Sequence, residues 1–221
     1  DEMGLTKRDD HNTRLLPDGR AMEIVVETSG SSTEQTDVLQ LIRDTWAELG
    51  VRLFIKPSQL EIFRMRIFAG ETVMAISSGL DDGIPVAEIS PAELAPTEED
   101  QLQWPKWGDY YETHGKTGEA VDLPEASELL ALNKEWETAA SHEERTRIWQ
   151  RMLEINADQQ FTIGIVAAVP QPVVVSNHLE NVAEKGIYCW DPGAHFGIYK
   201  PDTFWFDNAP AETAAVKAAA P

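Results

Sequence analysis

The chain reads as an α/β fold, on three observations. Two strand-like runs, M-E-I-V-V at 22–26 and V-R-L-F-I-K at 51–56, bracket a stretch with helical periodicity. A second helix-then-strand pattern follows at once, over 58–77. Further on, two amphipathic stretches lie back to back between 125 and about 158. Strands alternating with helical patterns point to crossover units and a parallel sheet.

The elements follow in order. Residues 1–20 are polar and end in the turn signal Pro17-Asp18-Gly19. The run at 22–26 alternates apolar and polar, then turns wholly apolar, as a strand entering a core does. A Ser/Gly loop leads to a helix over 34–49, with Val38, Ile42, Trp46 and Leu49 on one stripe. Ser32 with Gln35, or Ser31 with Glu34, supplies a capping pattern, and Gly50 stands where a helix-ending glycine belongs. The strand at 51–56 puts Val51, Leu53 and Ile55 on one face. This β-α-β unit predicts a right-handed crossover between parallel strands. A second helix over 58–69 is opened by Ser58 and Glu61 and closed by Gly70, with Leu60, Phe63 and Ile67 inward. A strand over 72–77 follows.

Residues 79–111 show neither period, and a long irregular connection in a compact domain is functional or disordered. This one ends in Trp104, Trp107, Tyr110 and Tyr111, and disordered segments are poor in rings. It therefore reads as an ordered loop with a role. Residues 113–123 are polar and Gly-rich. Pro124 starts a helix running to 139 with Leu129, Leu132 and Trp136 inward. Ser141 and Glu144 open another of about 18 residues, its stripe being Ile148, Met152 and Ile155 with Trp149 and Leu153 beside it. The two helices should pack as a hairpin. F-T-I-G-I-V-A-A-V at 161–169 and P-V-V-V-S at 172–176 read as strands. Residues 186–206 are aromatic and irregular. Residues 207–221, mostly alanine at their end, read as a disordered tail.

Composition narrows the function. The 221 residues carry 18 basic and 38 acidic side chains, a formal charge of −20. Such a surface repels phosphate backbones and anionic lipid, so neither nucleic acid nor a membrane surface is the expected partner. No apolar run approaches the roughly 20 residues that cross a bilayer. The one cysteine, Cys189, excludes an internal disulfide and a multi-cysteine zinc site. The opening D-E-M-G-L-T-K-R-D-D has no signal-peptide pattern.

Phosphate-cradling glycine motifs and the G-x-S-x-G elbow are absent. None of the five histidines pairs with another at helical metal-ligand spacing, and His142 reads as solvated. No cofactor, metal or catalytic residue is implied. Asp81 and Asp82 follow a strand end, where open α/β sheets meet ligands; two acids before a glycine also make a plain turn. Glu98-Glu99-Asp100 reads as a solvated face. Trp104, Trp107, Tyr110 and Tyr111 suit stacking on sugar rings or lining peptide side-chain pockets, or anchoring the loop to its own domain. A carboxylate-dependent hydrolase, with two acids facing across a cleft, and a protein-interaction domain docking through an apolar patch are the other function classes these residues allow.

The order of motifs resembles a known family. D-E-M-G-L-T-K-R-D-D-H-N-T-R-L-L-P-D-G-R-A-M-E-I-V-V-E, V-L-Q-L-I-R-D-T-W-A-E-L-G-V-R-L-F-I-K, W-P-K-W-G-D-Y-Y-E-T-H-G-K-T-G-E, E-E-R-T-R-I-W-Q-R-M-L-E-I-N-A-D-Q-Q-F-T-I-G-I-V and P-Q-P-V-V-V-S-N-H-L-E-N-V together cover nearly all of residues 1–206. They resemble the C-terminal lobe of family 5 extracellular solute-binding proteins, the dipeptide/oligopeptide-binding components of bacterial ABC importers. The resemblance implies a type II periplasmic-binding-protein-like lobe, with a mixed sheet flanked by helices. It implies a binding rather than catalytic role, a peptide or oligosaccharide solute, and a membrane permease as partner. The implied location is the periplasm, or the outer face of a Gram-positive cell. Residues 1–206 would be a piece of a longer protein. Asp81 or Asp82 would take the place of an aspartate in a W-x-x-D-x-x-D-P-like motif that pairs with a peptide's α-amino group. The tryptophan of that motif is absent here. Trp104, Trp107, Tyr110 and Tyr111 would form the apolar wall.

Overall fold

The computed structural model describes residues 4–77, 86–165, 170, 172–186 and 200–207. Asp81, Asp82, Cys189 and the tail expected at 207–221, apart from Asp207, lie outside the described residues. The chain divides into two compact units. The first is Asp1–Gly79 with Val86–Ile163, the second Leu80–Pro85 with Gly164–Pro221.

In the first unit, β1 (Glu23–Thr28), α1 (Thr33–Leu49), β2 (Arg52–Pro57), α2 (Leu60–Phe68) and β3 (Met74–Ala75) follow in succession. The sheet has the order β2-β1-β3 and is parallel throughout, in register from Glu23↔Arg52 to Thr28↔Pro57 on one side and at Val26↔Met74 and Glu27↔Ala75 on the other. With β1 central, the right-handed rule for parallel crossovers puts α1 and α2 on opposite faces. The side chains agree. Val26, Leu39 and Leu53 form a core under α1, with Ile24, Ile42, Trp46, Ile55 and Met74 packed on it. On the other face Arg66 of α2 meets Glu27.

Local signals explain most of α1. Ser32 caps it, its hydroxyl accepting from the Gln35 N–H at 3.2 Å. Gly50 ends it at φ 85°. A Cβ there would lie 2.8 Å from Arg8 Nη1 and 2.9 Å from Arg14 Cγ. Those two arginines donate to the Leu49 carbonyl, Arg14 Nε at 2.6 Å and Arg8 Nη2 at 3.3 Å. They bring positive charge to the negative end of a helix whose last turn has no basic residue. The expected stripe shifts by part of a turn: Leu39 is buried and Leu49 exposed, because the sheet meets the Leu39–Ile42–Trp46 line.

The capping box expected at Ser58 and Glu61 does not form. The helix starts at Leu60 after Gln59, without a side-chain cap. The Ser58 N–H instead donates to the Thr28 carbonyl at 3.0 Å, which fixes Ser58 in the loop ahead of the helix. Phe63 and Ile67 are buried as expected, while Leu60 is exposed.

The stretch expected to be irregular holds a 3₁₀ turn at Ala92–Leu94 and a helix, α3 (Pro105–Glu112). Proline at its first position suits a helix start, where no N–H is needed. Beyond it, α4 (Pro124–Thr138) and α5 (His142–Gln159) form the expected hairpin. Ser141 caps α5 by accepting from the Glu144 N–H at 3.1 Å, and Glu144 reaches back to the Ala140 N–H at 3.2 Å. Leu94, Trp104, Leu129, Ile148, Trp149 and Met152 belong to a second core.

In the second unit, β4 (Leu179–Glu180) and β5 (Trp205–Phe206) pair antiparallel. The strands expected at 161–169 and 172–176 are not seen among their described residues. Ile163, Ile165 and Val173 to Val175 are exposed. An apolar run becomes a strand only where another strand takes its backbone groups, and no described residue does so here.

Candidate functional site

Two surfaces of the first unit carry the features expected of a binding site. The first is the rim where the parallel strands end. The chain leaves β1 toward β2 on one side, while β3 lies on the other, so the switch in strand order falls between β1 and β3. Ligands of open α/β sheets are met in that crevice. The rim is closely stitched. The Thr28 hydroxyl accepts from the Gly30 N–H at 3.2 Å, Ser29 and Ser31 share a hydroxyl contact at 2.7 Å, and the Ile76 N–H donates to the Glu27 carbonyl at 3.1 Å. The Ser58 hydroxyl oxygen is buried without a partner among the described residues.

Glu27 carries the main charge at this rim. Its side chain is 4% exposed. The Arg66 fork closes on it, Nε at 3.1 and 2.9 Å from the two carboxylate oxygens and Nη2 at 2.8 Å; Lys56 Nζ stands at 3.5 Å. The Arg66 hydrogen bonds hold the Glu27 carboxyl below the ordinary carboxylate range, against the opposing effect of burial, and Lys56 adds to them.

The second surface is α3, built on a strap formed by residues 86–104. Indoles of the hairpin clamp its beginning. Trp136 Nε1 donates to the Ala87 carbonyl at 2.8 Å and Trp149 Nε1 to the Ile89 carbonyl at 2.9 Å. Asn156 Nδ2 holds the Leu94 carbonyl at 3.1 Å. The Arg145 guanidinium lies over the Trp136 ring, 5.1 Å from its centroid. Between the clamps Glu88 Oε1 meets His142 Nδ1 at 2.6 Å. The side chain expected to be solvated is exposed but paired. Its hydrogen bond to Glu88 raises the His142 pKa, and the Glu88 pKa is lowered for the same reason.

Gln101 organises the end of the strap. Its Oε1 accepts from the Thr97 N–H at 2.9 Å, the Glu98 N–H at 3.2 Å and Trp104 Nε1 at 2.7 Å. Its Nε2 donates to the Ala92 carbonyl at 3.2 Å and to Thr97 Oγ1 at 3.3 Å. Sequence reasoning missed this residue, and nothing in its neighbours' types marks it.

The four predicted rings separate in role. Trp104 is 3% exposed, packs edge-on to Phe161 at 5.0 Å between centroids, and gives its N–H to Gln101. It anchors the strap rather than facing solvent. Trp107 is half-buried against the same core. Tyr110 and Tyr111 are 39% and 38% exposed. The Tyr110 ring leans over Gly115, its hydroxyl 3.1 Å from where a Cβ would stand. Asp109 is engaged by Thr117 Oγ1 at 2.6 Å, and Glu98, Glu99 and Asp100 are exposed as expected. Lys106, at the start of α3, lies against Gly70, where a Cβ would be 3.4 Å from its Cγ. The aromatic helix therefore begins beside the chain that leads into β3, not beside its exit at the rim.

No family profile matches the sequence, and no curated protein does. Solved structures do. The oligopeptide-binding protein OppA superposes with a TM-score of 0.58 at 21% identity, over 72% of this chain and 27% of its own. The periplasmic binding protein MelB from Agrobacterium fabrum C58, in complex with stachyose, gives 0.57 at 17% identity, over 74% of this chain and 24% of its own. NikA from Brucella suis, in complex with Fe(III)-EDTA, gives 0.51 at 14% identity, over 72% and 28%. The chain thus spans about a quarter of the length of each of these structures. Among the described residues no helix is long and apolar enough to cross a membrane. Parallel sheet, flanking helices and these neighbours together define the fold as the α/β lobe of a periplasmic-binding-protein-like structure.

Proposed function

We propose that the chain is the C-terminal lobe, residues 1–206, of a longer family 5 solute-binding protein. In this reading it captures a peptide or an oligosaccharide outside the cytoplasmic membrane and delivers it to the permease of an ABC importer. The observation that supports it most is the shared fold with three solute-binding structures over about three quarters of the chain, at only a quarter of their length. Capture is closure of two lobes about a hinge, a population shift driven by contacts the solute makes to both. Asp81 and Asp82 are the polar anchors. Trp107, Tyr110 and Tyr111 are the apolar wall, with Trp104 behind them as its support.

Native mass spectrometry of the longer polypeptide, purified from its host, tests the reading by weighing a co-purified solute. A peptide or oligosaccharide mass supports it, and a protein that stays solute-free and binds neither class by calorimetry overturns it. In that longer protein, Trp107→Ala should lower solute affinity about tenfold by removing a stacking face, with the fold retained. Unchanged affinity removes Trp107 from the wall.

A further inference from the structure

The buried Glu27–Arg66 pair has a place in the fold that stability alone does not account for. Replacing a buried ion pair by well-packed apolar side chains is often neutral or stabilising, so such a pair is weak evidence of stabilisation. Its position is more informative. Arg66 joins β1 to the turn ahead of β3: Nε and Nη2 hold Glu27, near the end of β1, while Nη1 holds Glu71 Oε2, three residues before β3, at 2.9 Å. Glu27 is the β1 partner of Ala75.

β3 needs such a tie. It is two residues long and pairs with β1 only at Met74 and Ala75. Val73, just before it, is 91% exposed, and Met74 and Ala75 are half-buried. Apolar burial of Met74 and Ile76 holds the α1 face of this stretch; on the α2 face the ties are ionic, a hydrogen bond to the buried Glu27 carboxylate being worth about 1.5–3 kcal/mol and the exposed pair with Glu71 about 0–1 kcal/mol. β1 and β3 are the two strands between which the order switches.

We propose that Arg66 is a positioning residue for the solute crevice: by bridging Glu27 and Glu71 it ties the chain entering β3 to β1 and so holds β3 in the pairing that carries its far end to the rim. It acts through the strands and touches no solute. The inference rests on the solute-binding reading for its purpose, but not for its test.

The test is Arg66→Lys, which keeps the charge and cannot span both carboxylates. Amide hydrogen exchange at Met74 to Ser77 is compared with that of the β1–β2 ladder at Arg52 and Phe54, on the side of β2 whose N–H groups donate to β1, and the longer protein is titrated with trialanine and with stachyose. Exchange at Ile76 should quicken about tenfold or more while the ladder stays protected, and affinity for the probe that binds should fall with it. If Arg66→Lys fails to fold, the apolar pair Glu27→Met with Arg66→Met keeps the site filled and is read in the same way. Unchanged exchange at Ile76, or an equal rise in both ladders, overturns the proposal and leaves the pair as general glue. If the wild type also stays solute-free and binds neither peptides nor oligosaccharides as classes while Ile76 still responds, the solute reading fails and the positioning of β3 by Arg66 stands.

Discussion

Gly108→Ala offers the sharpest test of how α3 is held, because two effects oppose each other there. In an exposed helix interior, replacing glycine by alanine stabilises by about 1 kcal/mol. Gly108 is inside α3 and buried. A Cβ at this position would lie 1.9 Å from the Glu98 carbonyl oxygen, 2.3 Å from its carbon and 2.9 Å from the Glu99 nitrogen. All three are backbone atoms, so no rotamer change relieves the contact. The strap must retreat by roughly an ångström, and Gln101 and Trp104 hold it within a few residues of the clash. Overpacking of this kind costs typically 1–3 kcal/mol and occasionally more. With the strap pinned, about 3 kcal/mol is the reasonable figure, leaving a net loss of about 2 kcal/mol after the helix-propensity gain. At about 2–4 °C per kcal/mol for a domain of this size, thermal unfolding followed by tryptophan fluorescence should shift down by about 4–8 °C. An unchanged or raised midpoint would mean that α3 does not lie against the Glu98 backbone.

Gln101→Leu removes the acceptor shared by Thr97, Glu98 and Trp104; leaving these donors unpaired should cost about 3 kcal/mol in urea unfolding, whereas Gln101→Glu keeps the acceptor and should cost less. The Glu88–His142 pair makes the clamp pH-dependent. Its contribution through His142, whose pKa is raised, is full below the ordinary value of 6.5 and is lost as pH rises through the folded value. Its contribution through Glu88, whose pKa is lowered, is present above 4.5 and is lost as pH falls through the folded value. The pair is therefore strongest between those two values. In Glu88→Gln the His142 titration followed by NMR should move to lower pH, and an unmoved curve would mean that the two side chains do not meet in solution.

The parts of the fold that were legible in the sequence are those fixed by near neighbours. Ser32, Gly50, Pro124 and Ser141 mark helix ends because a cap acts within one turn, and the β-α-β reading needed only period and order. Helix α3 was missed although Pro105 announced it, because Gly108 and the crowded rings mask the apolar stripe; an isolated glycine in a helical pattern is itself a sign of close packing. The clamps were beyond reach. Trp136 and Trp149 read correctly as inward-facing, but their N–H groups meet carbonyls 49 and 60 residues away. Gln101 acts through a turn in which its side chain meets Thr97, Glu98 and the buried Trp104 together. The strand reading of 172–176 failed for the opposite reason: a valine run has the propensity, but pairing is a property of the partner.

The anchoring of the strap also bears on what α3 has to offer a solute. Ordering a flexible side chain on binding costs about 0.5–1.5 kcal/mol, so a stacking surface gains by being ordered beforehand. Each support of α3 is of that kind. Trp107 rests on the second core, Gly108 seats the helix on the Glu98 backbone, and Tyr110 leans on Gly115, where a Cβ would stand 3.1 Å from its hydroxyl. Asp109 is tied to Thr117, and the Thr113 hydroxyl to the Asp109 carbonyl at 2.7 Å. What stays unengaged is the outward side of two rings. Neither the Tyr110 nor the Tyr111 hydroxyl has a hydrogen-bond partner among the described residues, and both side chains reach solvent. A half-buried indole beside two half-exposed phenol rings presents apolar faces and polar tips together, which on the proposed reading suits a sugar or a peptide. On the proposed reading the polar residues of the strap thus serve the site indirectly, by holding the rings in place before the solute arrives.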